Sequence, residues 1–251
     1  MLRPARLLNR SLAALLPALF AAFLLAPAAA WAQMAQGPPT PLAVDLAKVP
    51  IGSWATYNMT MGTMPPMSMK MALVARTSTG NTLESSMEGG LAAKAGKVVS
   101  QMVLGPGSEG TVSKMVLQVG GNDPMEMPIQ AAQGKQFSKP DPKTFVKEET
   151  VKVAGGSFKT KHYHDKSAQG DTVDYWVSEN VAPLGLVKIE MTQKSNPMIS
   201  GPIKMELTGT GKDAKMVITK KPKPFDQNEL VKQMTGGAGA APAAAPPAAK
   251  K

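Results

Sequence analysis

The sequence predicts an all-β protein whose main domain is a curved antiparallel sheet, either a half-barrel or a barrel, with a sandwich as the alternative. Short segments rich in Val, Thr, Met and Ile recur between residues 49 and 220, and Gly, Asn, Asp and Pro interrupt them. Turn signals spaced about 8 to 12 residues apart are typical of such folds. No long window shows the helical period. A sheet of about twelve strands does not stay flat, so we expect it to curl.

The first 32 residues are predicted to be an export signal. Arg3, Arg6 and Arg10 form a positive start, residues 12–25 are apolar apart from one proline, and residues 30–32 (AWA) present small side chains to a signal peptidase. The apolar run is shorter than the roughly 20 residues that a membrane-spanning helix needs. We therefore expect cleavage after residue 32 and an exported chain that does not span the membrane, in the periplasm of a Gram-negative bacterium.

Composition excludes several classes of site. The 251 residues contain no cysteine and only two histidines, which excludes disulfides, thiolate metal sites and thiol catalysis. The formal charge of +10 falls to +7 once the three signal arginines are removed. The lysines alternate with Asp, Glu and Thr and are not interleaved with aromatic residues, so they indicate a solvated β-surface and no nucleic-acid partner. We expect no cofactor.

Shifts in composition divide the chain after the signal. We predict a proline-rich linker at 33–48, an antiparallel β domain at 49–220, a Lys/Pro-rich segment with a short helix at 221–235, and a disordered Gly/Ala/Pro tail at 236–251. In the short helix, Asp226 and Glu229 have the spacing of a capping box. The tail has no core-forming residues, and it either extends along the cell wall or serves only for solubility.

Twelve segments of the β domain are predicted to be strands. They are 53–60, 67–76, 82–88, 97–104, 111–119, 125–130, 145–153, 157–164, 171–178, 186–194, 203–209 and 214–219.

Alternation within these strands predicts one apolar face, because successive side chains of a strand point to opposite faces. One apolar and one polar face are typical of an antiparallel sheet that is covered on one side only. The predicted apolar wall consists of Met67, Met69, Met71, Leu73, Met115, Leu117, Val187, Ile189, Met191, Ile203 and Met205. Met216 and Ile218 in the last predicted strand are expected to join this face.

Methionine is the most unusual feature of the composition. The chain has 18 methionines, and six of them fall between residues 59 and 71. Thioethers are soft ligands that suit Cu(I), and closely spaced methionines can present several of them to one ion. Methionine is also an adaptable filler of apolar cores. Met59, Met61 and Met64, beside two prolines, are the group that alternation explains least, and they form the candidate Cu(I) or Ag(I) site.

The two histidines, His162 and His164, point to one side of a predicted strand, with Asp165 and Asp174 nearby in sequence. Catalytic zinc needs three protein ligands, and no firm third ligand is present. An exposed cationic strand is therefore the preferred interpretation, with a metal site as the alternative.

No catalytic motif is recognised. Residues 105–110 (GPGSEG) match G-x-G-x-x-G, but a strand follows them where a dinucleotide fingerprint needs a helix. The carboxylate pairs Glu148–Glu149 and Asp171–Asp174 lie in lysine-rich, polar surroundings that would not raise a pKa for acid catalysis. A G-x-S-x-G elbow is absent from the sequence. We expect the protein not to be an enzyme.

One stretch carries a resemblance to a known family. Residues 154–190 place Gly156, Phe158, Thr160 and Tyr163 on one strand. Asp174, Trp176 and Val177 follow on the next strand, and Pro183, Gly185 and Val187 precede a third. This passage resembles the LolA/LolB-like half-barrels of exported bacterial lipoprotein carriers. The resemblance implies a curved antiparallel sheet whose concave apolar face holds acyl chains and is plugged by short helices.

Three functions remain open. The first is a non-enzymatic carrier that buries an apolar ligand, such as a lipid or acyl chain, on the concave face. The second is a methionine-rich Cu(I) or Ag(I) binder. The third is a structural envelope module with a filled core and no small-molecule ligand, contacting another envelope protein or the cell wall through its basic surface and tail.

Overall fold

The computed structural model describes residues 40–93, 95–105, 111–129, 137–167, 170–192 and 201–234. The predicted export signal, the first part of the predicted linker, most of the loop at 105–110 and the predicted tail at 236–251 lie outside the described residues.

The described residues form fourteen strands and one α-helix. The strands are β1 (Thr40–Pro41), β2 (Trp54–Met61), β3 (Met67–Thr77), β4 (Gly80–Gly89), β5 (Val98–Leu104), β6 (Val112–Val119), β7 (Met125–Met127), β8 (Phe137–Ser138), β9 (Phe145–Val153), β10 (Gly156–Lys166), β11 (Thr172–Val177), β12 (Leu186–Thr192), β13 (Ile203–Gly211) and β14 (Lys223–Pro224). The helix α1 is Gln227–Met234.

Twelve of the strands form one sheet, in the order β14-β7-β6-β5-β4-β3-β2-β13-β12-β11-β10-β9. Every neighbouring pair is antiparallel except β14 and β7. The sheet is curved and its two end strands do not pair, so it is an open half-barrel. The predicted all-β fold with a curved antiparallel sheet is confirmed. β1 and β8 form a separate parallel pair.

The main hydrophobic core lies on one face of this sheet. It combines side chains from strands as far apart as β5 and β11, including Met102 and Val173. Leu73, Leu83 and Leu207 of this face are fully buried, and Phe137 of the small β1–β8 sheet packs into the same core. We call this face of the curved sheet the concave face.

The turn between β9 and β10 shows how far the sheet curls. The amide of Gly155 donates a hydrogen bond of 3.0 Å to the carbonyl of Leu207 on β13, although β11 and β12 lie between β10 and β13 in the sheet. A Cβ atom on Gly155 would stand 3.1 Å from both Cγ and the carbonyl oxygen of Leu207. The hairpin therefore folds back onto β13, and a glycine permits the close approach.

The end of the predicted linker is packed against the domain. Leu42 and Leu46 are buried members of the main core. The amide of Leu42 donates to the carbonyl of Ser138 at 2.8 Å, and the amide of Ala43 donates to that of Leu184 at 2.9 Å. Proline content alone does not predict these long-range contacts. Because of them, the ordered domain begins earlier than residue 49.

The last predicted strand, 214–219, is not a strand. Residues 212–222, which we call the back strap, cross the convex face, and Ile218 is buried there with Val99 and Val116. Met216 is 37% exposed. The expectation that Met216 and Ile218 join the concave wall is therefore wrong. The physical reason is the buried carboxylate of Glu84, which accepts backbone hydrogen bonds of the back strap that a neighbouring strand would otherwise accept.

Glu84 satisfies the backbone of the back strap. Its carboxylate accepts hydrogen bonds from the amides of Val217 at 3.0 Å and Ile218 at 3.2 Å. Gln101 donates to the same carboxylate at 2.8 Å and to the carbonyl of Ile218 at 2.9 Å. A carboxylate that is 5% exposed requires such partners, because an unpaired buried charge is costly.

The helix α1 covers one end of the concave face. The carboxylate of Asp226 accepts hydrogen bonds from the amides of Asn228 at 2.9 Å and Glu229 at 3.2 Å, which satisfies two of the unpaired donors at the helix start. Leu230 and Met234 then pack against a buried cluster of β5 and β6.

Candidate functional site

Strand register brings the predicted wall residues into rows that cross the concave face. In one row, Met61 on β2 lies opposite Ile203 on β13, which lies opposite Met191 on β12. A parallel row joins Met67, Met59, Met205, Ile189 and Tyr175 on five successive strands. Side chains directly opposite each other have Cβ atoms about 4.5–5.5 Å apart, so each row is a continuous apolar band.

Burial divides the predicted wall into a floor and a surface. The buried residues, which pack within the core, are Met67, Met71, Leu73, Val187 and Met205. The half-buried residues, which present apolar surface to the concave side, are Met69, Met115, Leu117, Ile189, Met191 and Ile203. Only the second group is placed to contact a ligand without displacing the core.

Three further methionines extend this surface. Met59 and Met61 are half-buried beside the predicted wall, and Met87 on β4 lies opposite Met69 and is also half-buried. Met87 was not among the predicted wall residues because Ser85 breaks the apolar alternation of β4. Its position follows only from the pairing of β3 with β4. We call the half-buried side chains of this face, with Met59, Met61 and Met87, the methionine surface.

Tyr57 lies beneath this surface and adds no charge to it. It is fully buried, and its hydroxyl donates to the carbonyl of Leu186 at 3.1 Å. Burial raises the pKa of the Tyr57 hydroxyl above its ordinary value, because the apolar surroundings disfavour the phenolate. On the same face, the hydroxyls of Ser85 and Ser100 form a hydrogen bond of 2.7 Å with each other. The hydroxyls of Tyr57, Ser85 and Ser100 therefore have hydrogen-bond partners within the protein.

The three candidate metal ligands lie in two elements, a strand and the turn that follows it. Met59 and Met61 share the concave face of β2, whereas Met64 lies in the turn after this strand, where its amide donates to the carbonyl of Met61 at 2.9 Å. Met205 on β13 lies directly opposite Met59. The structure thus places a methionine from another strand next to the pair on β2.

The two histidines lie on the convex face and are held by carboxylates. Nε2 of His162 is 2.8 Å and Nδ1 of His164 is 3.0 Å from the same oxygen of Asp174. His162 also stacks on Trp176, with ring centroids 4.3 Å apart and planes 16° apart. The His162 side chain is only 14% exposed. One of the two histidines that were expected to be exposed is therefore enclosed. Among the described residues, no group of three His, Cys, Asp or Glu side chains could hold a metal ion.

Glu149 completes this convex cluster. It accepts a hydrogen bond of 2.8 Å from the Trp176 indole and forms an ion pair of 3.0 Å with Lys147. The indole hydrogen bond, followed by that of Lys147, lowers the pKa of Glu149. A general acid in catalysis needs a raised carboxyl pKa instead, so the cluster has the properties of an ionised, paired surface.

A groove of about 1420 Å³ opens at the β9–β10 end of the molecule. Its rim carries both signs of charge, including the ion pairs Lys48–Asp45 at 3.5 Å and Lys161–Glu179 at 3.8 Å. No residue of the predicted wall lines it. The paired charges at the rim of this groove do not suit an apolar chain. The apolar side chains of the methionine surface suit one.

In the described part of the chain, no helix combines the length and the apolar character needed to cross a membrane.

Comparisons with known proteins leave the family of this chain open. No family model and no curated protein matches the sequence. Among solved structures, a protein of Bacteroides fragilis described as exported with a YmcC-like fold is 12% identical, with 64% of this chain and 96% of that chain covered and a TM-score of 0.33.

Two other structures match at the same level. The hypothetical protein CT021 from Chlamydia trachomatis is 12% identical, with 72% of this chain and 95% of that chain covered and a TM-score of 0.40. A protein of Parabacteroides distasonis described as a lipoprotein is 14% identical, with 70% and 100% covered and a TM-score of 0.31. Likenesses this distant carry no argument about function, so the function is argued from the geometry of the chain itself.

Proposed function

We propose that this chain is an exported, non-enzymatic carrier that holds an apolar ligand with a flexible acyl chain on the methionine surface. The observation that carries the proposal is the continuous band of half-buried apolar side chains across the concave face, including Met61, Ile203 and Met191 in one row. Within the described residues, this band joins half-buried apolar side chains of neighbouring strands on the face of the main core.

The chemistry of the band supports a flexible, variable cargo. Methionine side chains are unbranched and polarisable, so they adapt to apolar partners of irregular shape. Burying about 300 Å² of acyl surface at about 25 cal/mol per Å² would contribute about 7.5 kcal/mol before the cost of ordering the ligand. The neutral Tyr57 beneath the band leaves no charge for the ligand to desolvate.

Location and partners belong to the same proposal. The positive start, apolar run and small residues of the first 32 positions support export to the periplasm of a Gram-negative bacterium. The convex face, with its paired lysines and carboxylates, supports contact with water or with another envelope component.

Binding of a fluorescent fatty acid such as dansyl-undecanoic acid to the mature chain tests the proposal. We expect wild type to bind the probe and Met69→Lys to lose most of this binding, because the ammonium group would stand among apolar side chains on the concave face. Ser68→Lys is the matched control, since Ser68 is the neighbouring residue of β3 and is exposed on the opposite face. It should bind like wild type.

Two results would overturn the carrier proposal. One is a folded Met69→Lys variant that retains the probe as well as Ser68→Lys does. The other is a wild-type chain that shows no probe binding and, in native mass spectrometry after gentle isolation from the periplasm, a bare protein mass. The second result would favour the structural envelope module.

A further inference from the structure

Three methionines of two paired strands are neighbours on the concave face. Met59 and Met61 are two residues apart on β2 and point to the same side, and Met205 of β13 stands directly opposite Met59. Met205 is buried, and Met59 and Met61 are half-buried. The three side chains therefore form a triangle at the border between the core and the open concave side, which we call the thioether triad.

The dimensions of the triangle suit a single ion. Directly opposed Cβ atoms lie about 4.5–5.5 Å apart, and alternate residues of one strand are about 6.5 Å apart. Each methionine has three rotatable bonds, so its sulfur can swing toward the centre of the triangle without backbone movement. A longer straight row of methionines would not allow this, because its outer members would be too far from a common centre.

Two neighbouring methionines are not counted in the triad. Met64 belongs to the turn beyond β2, where its amide donates to the carbonyl of Met61. The sulfur of Met67 lies against Gly90, only 2.5 Å from where a Cβ of that residue would be, so it is directed toward the β4 side. Register places two methionines opposite Met59, namely Met67 and Met205, and because the Met67 sulfur is directed away, Met205 is the third ligand.

The donor set determines the ion. Thioethers are neutral and soft, and they select Cu(I) or the similar Ag(I) over Zn²⁺, Mg²⁺ or Ca²⁺, which need imidazole, thiolate or oxygen ligands. The side chains of the opposing row positions, including Ile203 and Ile189, are apolar and offer no harder ligand. The half-exposed Met59 and Met61 give an ion access from the concave side.

We propose that Met59, Met61 and Met205 bind one Cu(I) or Ag(I) ion. The proposal does not rest on the carrier function, because it depends on sulfur atoms rather than on apolar area.

Competition between the mature protein and the chromophoric Cu(I) chelator bicinchoninate, under anaerobic reducing conditions, tests this site. We expect wild type to withdraw one equivalent of Cu(I). The triple variant Met59→Leu, Met61→Leu, Met205→Leu should bind at least about tenfold more weakly, since leucine keeps the apolar volume but has no sulfur. Titration with silver nitrate, followed by native mass spectrometry, should show a single silver adduct in wild type only.

The control is a second triple variant, Met71→Leu, Met102→Leu, Met125→Leu, which removes three buried methionines of the β domain outside the triad. It should retain Cu(I) binding, and circular dichroism should show both variants folded. Failure of wild type to withdraw Cu(I), or equal affinity of the two triple variants, would overturn the site.

The test also separates this site from the carrier function. Met69→Lys leaves the three sulfurs of the triad in place, so we expect this variant to lose the fluorescent fatty acid while it still withdraws one equivalent of Cu(I). Loss of both ligands in a folded Met69→Lys variant would contradict the independence of the two sites.

Discussion

At the scale of single residues, charge pairing at one turn ties together parts of the chain that are distant in sequence. Asp123, after β6, accepts a hydrogen bond of 3.0 Å from Lys220 of the back strap and forms an ion pair of 2.7 Å with Lys223 of β14. The hydrogen bond from Lys223, and then that from Lys220, lowers the pKa of Asp123 from 3.8 to about 2.

This shift predicts a dependence of stability on acid pH. Because the folded-state pKa of Asp123 is lower than its unfolded value, its contribution to stability is complete above about pH 5 and disappears as the pH falls through about 2. We expect the difference in unfolding free energy between wild type and Asp123→Asn to stay constant above about pH 5 and to shrink below it. Urea denaturation at a series of pH values measures this difference.

Salt provides the control for this experiment. Asp123, Lys220 and Lys223 are largely exposed, so 1 M salt, which shortens the screening length to about 3 Å, should reduce the difference at neutral pH. If the difference in unfolding free energy between wild type and Asp123→Asn does not change between about pH 5 and pH 2, the lowered pKa is not that of Asp123.

At the scale of elements, the back strap shows how one buried carboxylate can replace a strand pairing. The sequence of 214–219 alternates in the manner of a strand, and Ile218 is buried as expected. The amides of Val217 and Ile218, however, donate to Glu84. Alternation correctly identifies the buried residue of this segment. The face that the segment covers and the acceptor of its backbone amides are set by the carboxylate of Glu84, which lies 133 positions before Val217 in the chain.

Glu84→Ala should release the back strap. Removing a charged acceptor of several hydrogen bonds costs about 2 kcal/mol, and the amides of Val217 and Ile218 should lose protection in hydrogen exchange. The matched control is Glu88→Ala, which removes an exposed carboxylate of the same strand and face that forms a surface ion pair with Lys97 at 3.3 Å. Unchanged exchange of both amides in Glu84→Ala would show that other contacts hold the strap.

At the scale of the whole molecule, curvature is what converts an alternating pattern into a candidate binding surface. A flat sheet would expose all of the methionine surface to water, and a closed one would bury it completely. The β9–β10 hairpin contributes to the observed intermediate state, because Gly155 donates to Leu207 across the intervening strands.

Gly155→Ala should therefore weaken the fold. A Cβ atom there would press on Cγ and the carbonyl oxygen of Leu207 at 3.1 Å, and overpacking of this kind costs about 1–3 kcal/mol. Gly121→Ala is the control, because nothing lies within 4 Å of its would-be Cβ. Thermal denaturation should show a lower melting temperature for Gly155→Ala alone, and equal melting temperatures would contradict the role of this contact.

Much of the fold could be predicted because alternation is a local property. Residues two apart on a strand share a face whatever the strand pairs with, so Met67, Met69 and Met71 were placed together correctly. Each predicted strand except 214–219 has a counterpart among β2–β7 and β9–β13. The candidate Cu(I) ligands that the sequence predicts all lie in one short segment. Strand register changes this set, because it places Met205 of β13 beside Met59.

By itself, the sequence determined the all-β class, the apolar and polar faces of the strands, and the concentration of methionine on one face, because each depends on side chains a few positions apart. Only the tertiary structure decided which methionines remain half-buried, that Leu42 and Leu46 belong to the core, and that His162 is enclosed by Asp174 and Trp176. Those properties arise from register and curvature, which are set by contacts between residues far apart in the chain and leave no periodic signal within any one segment.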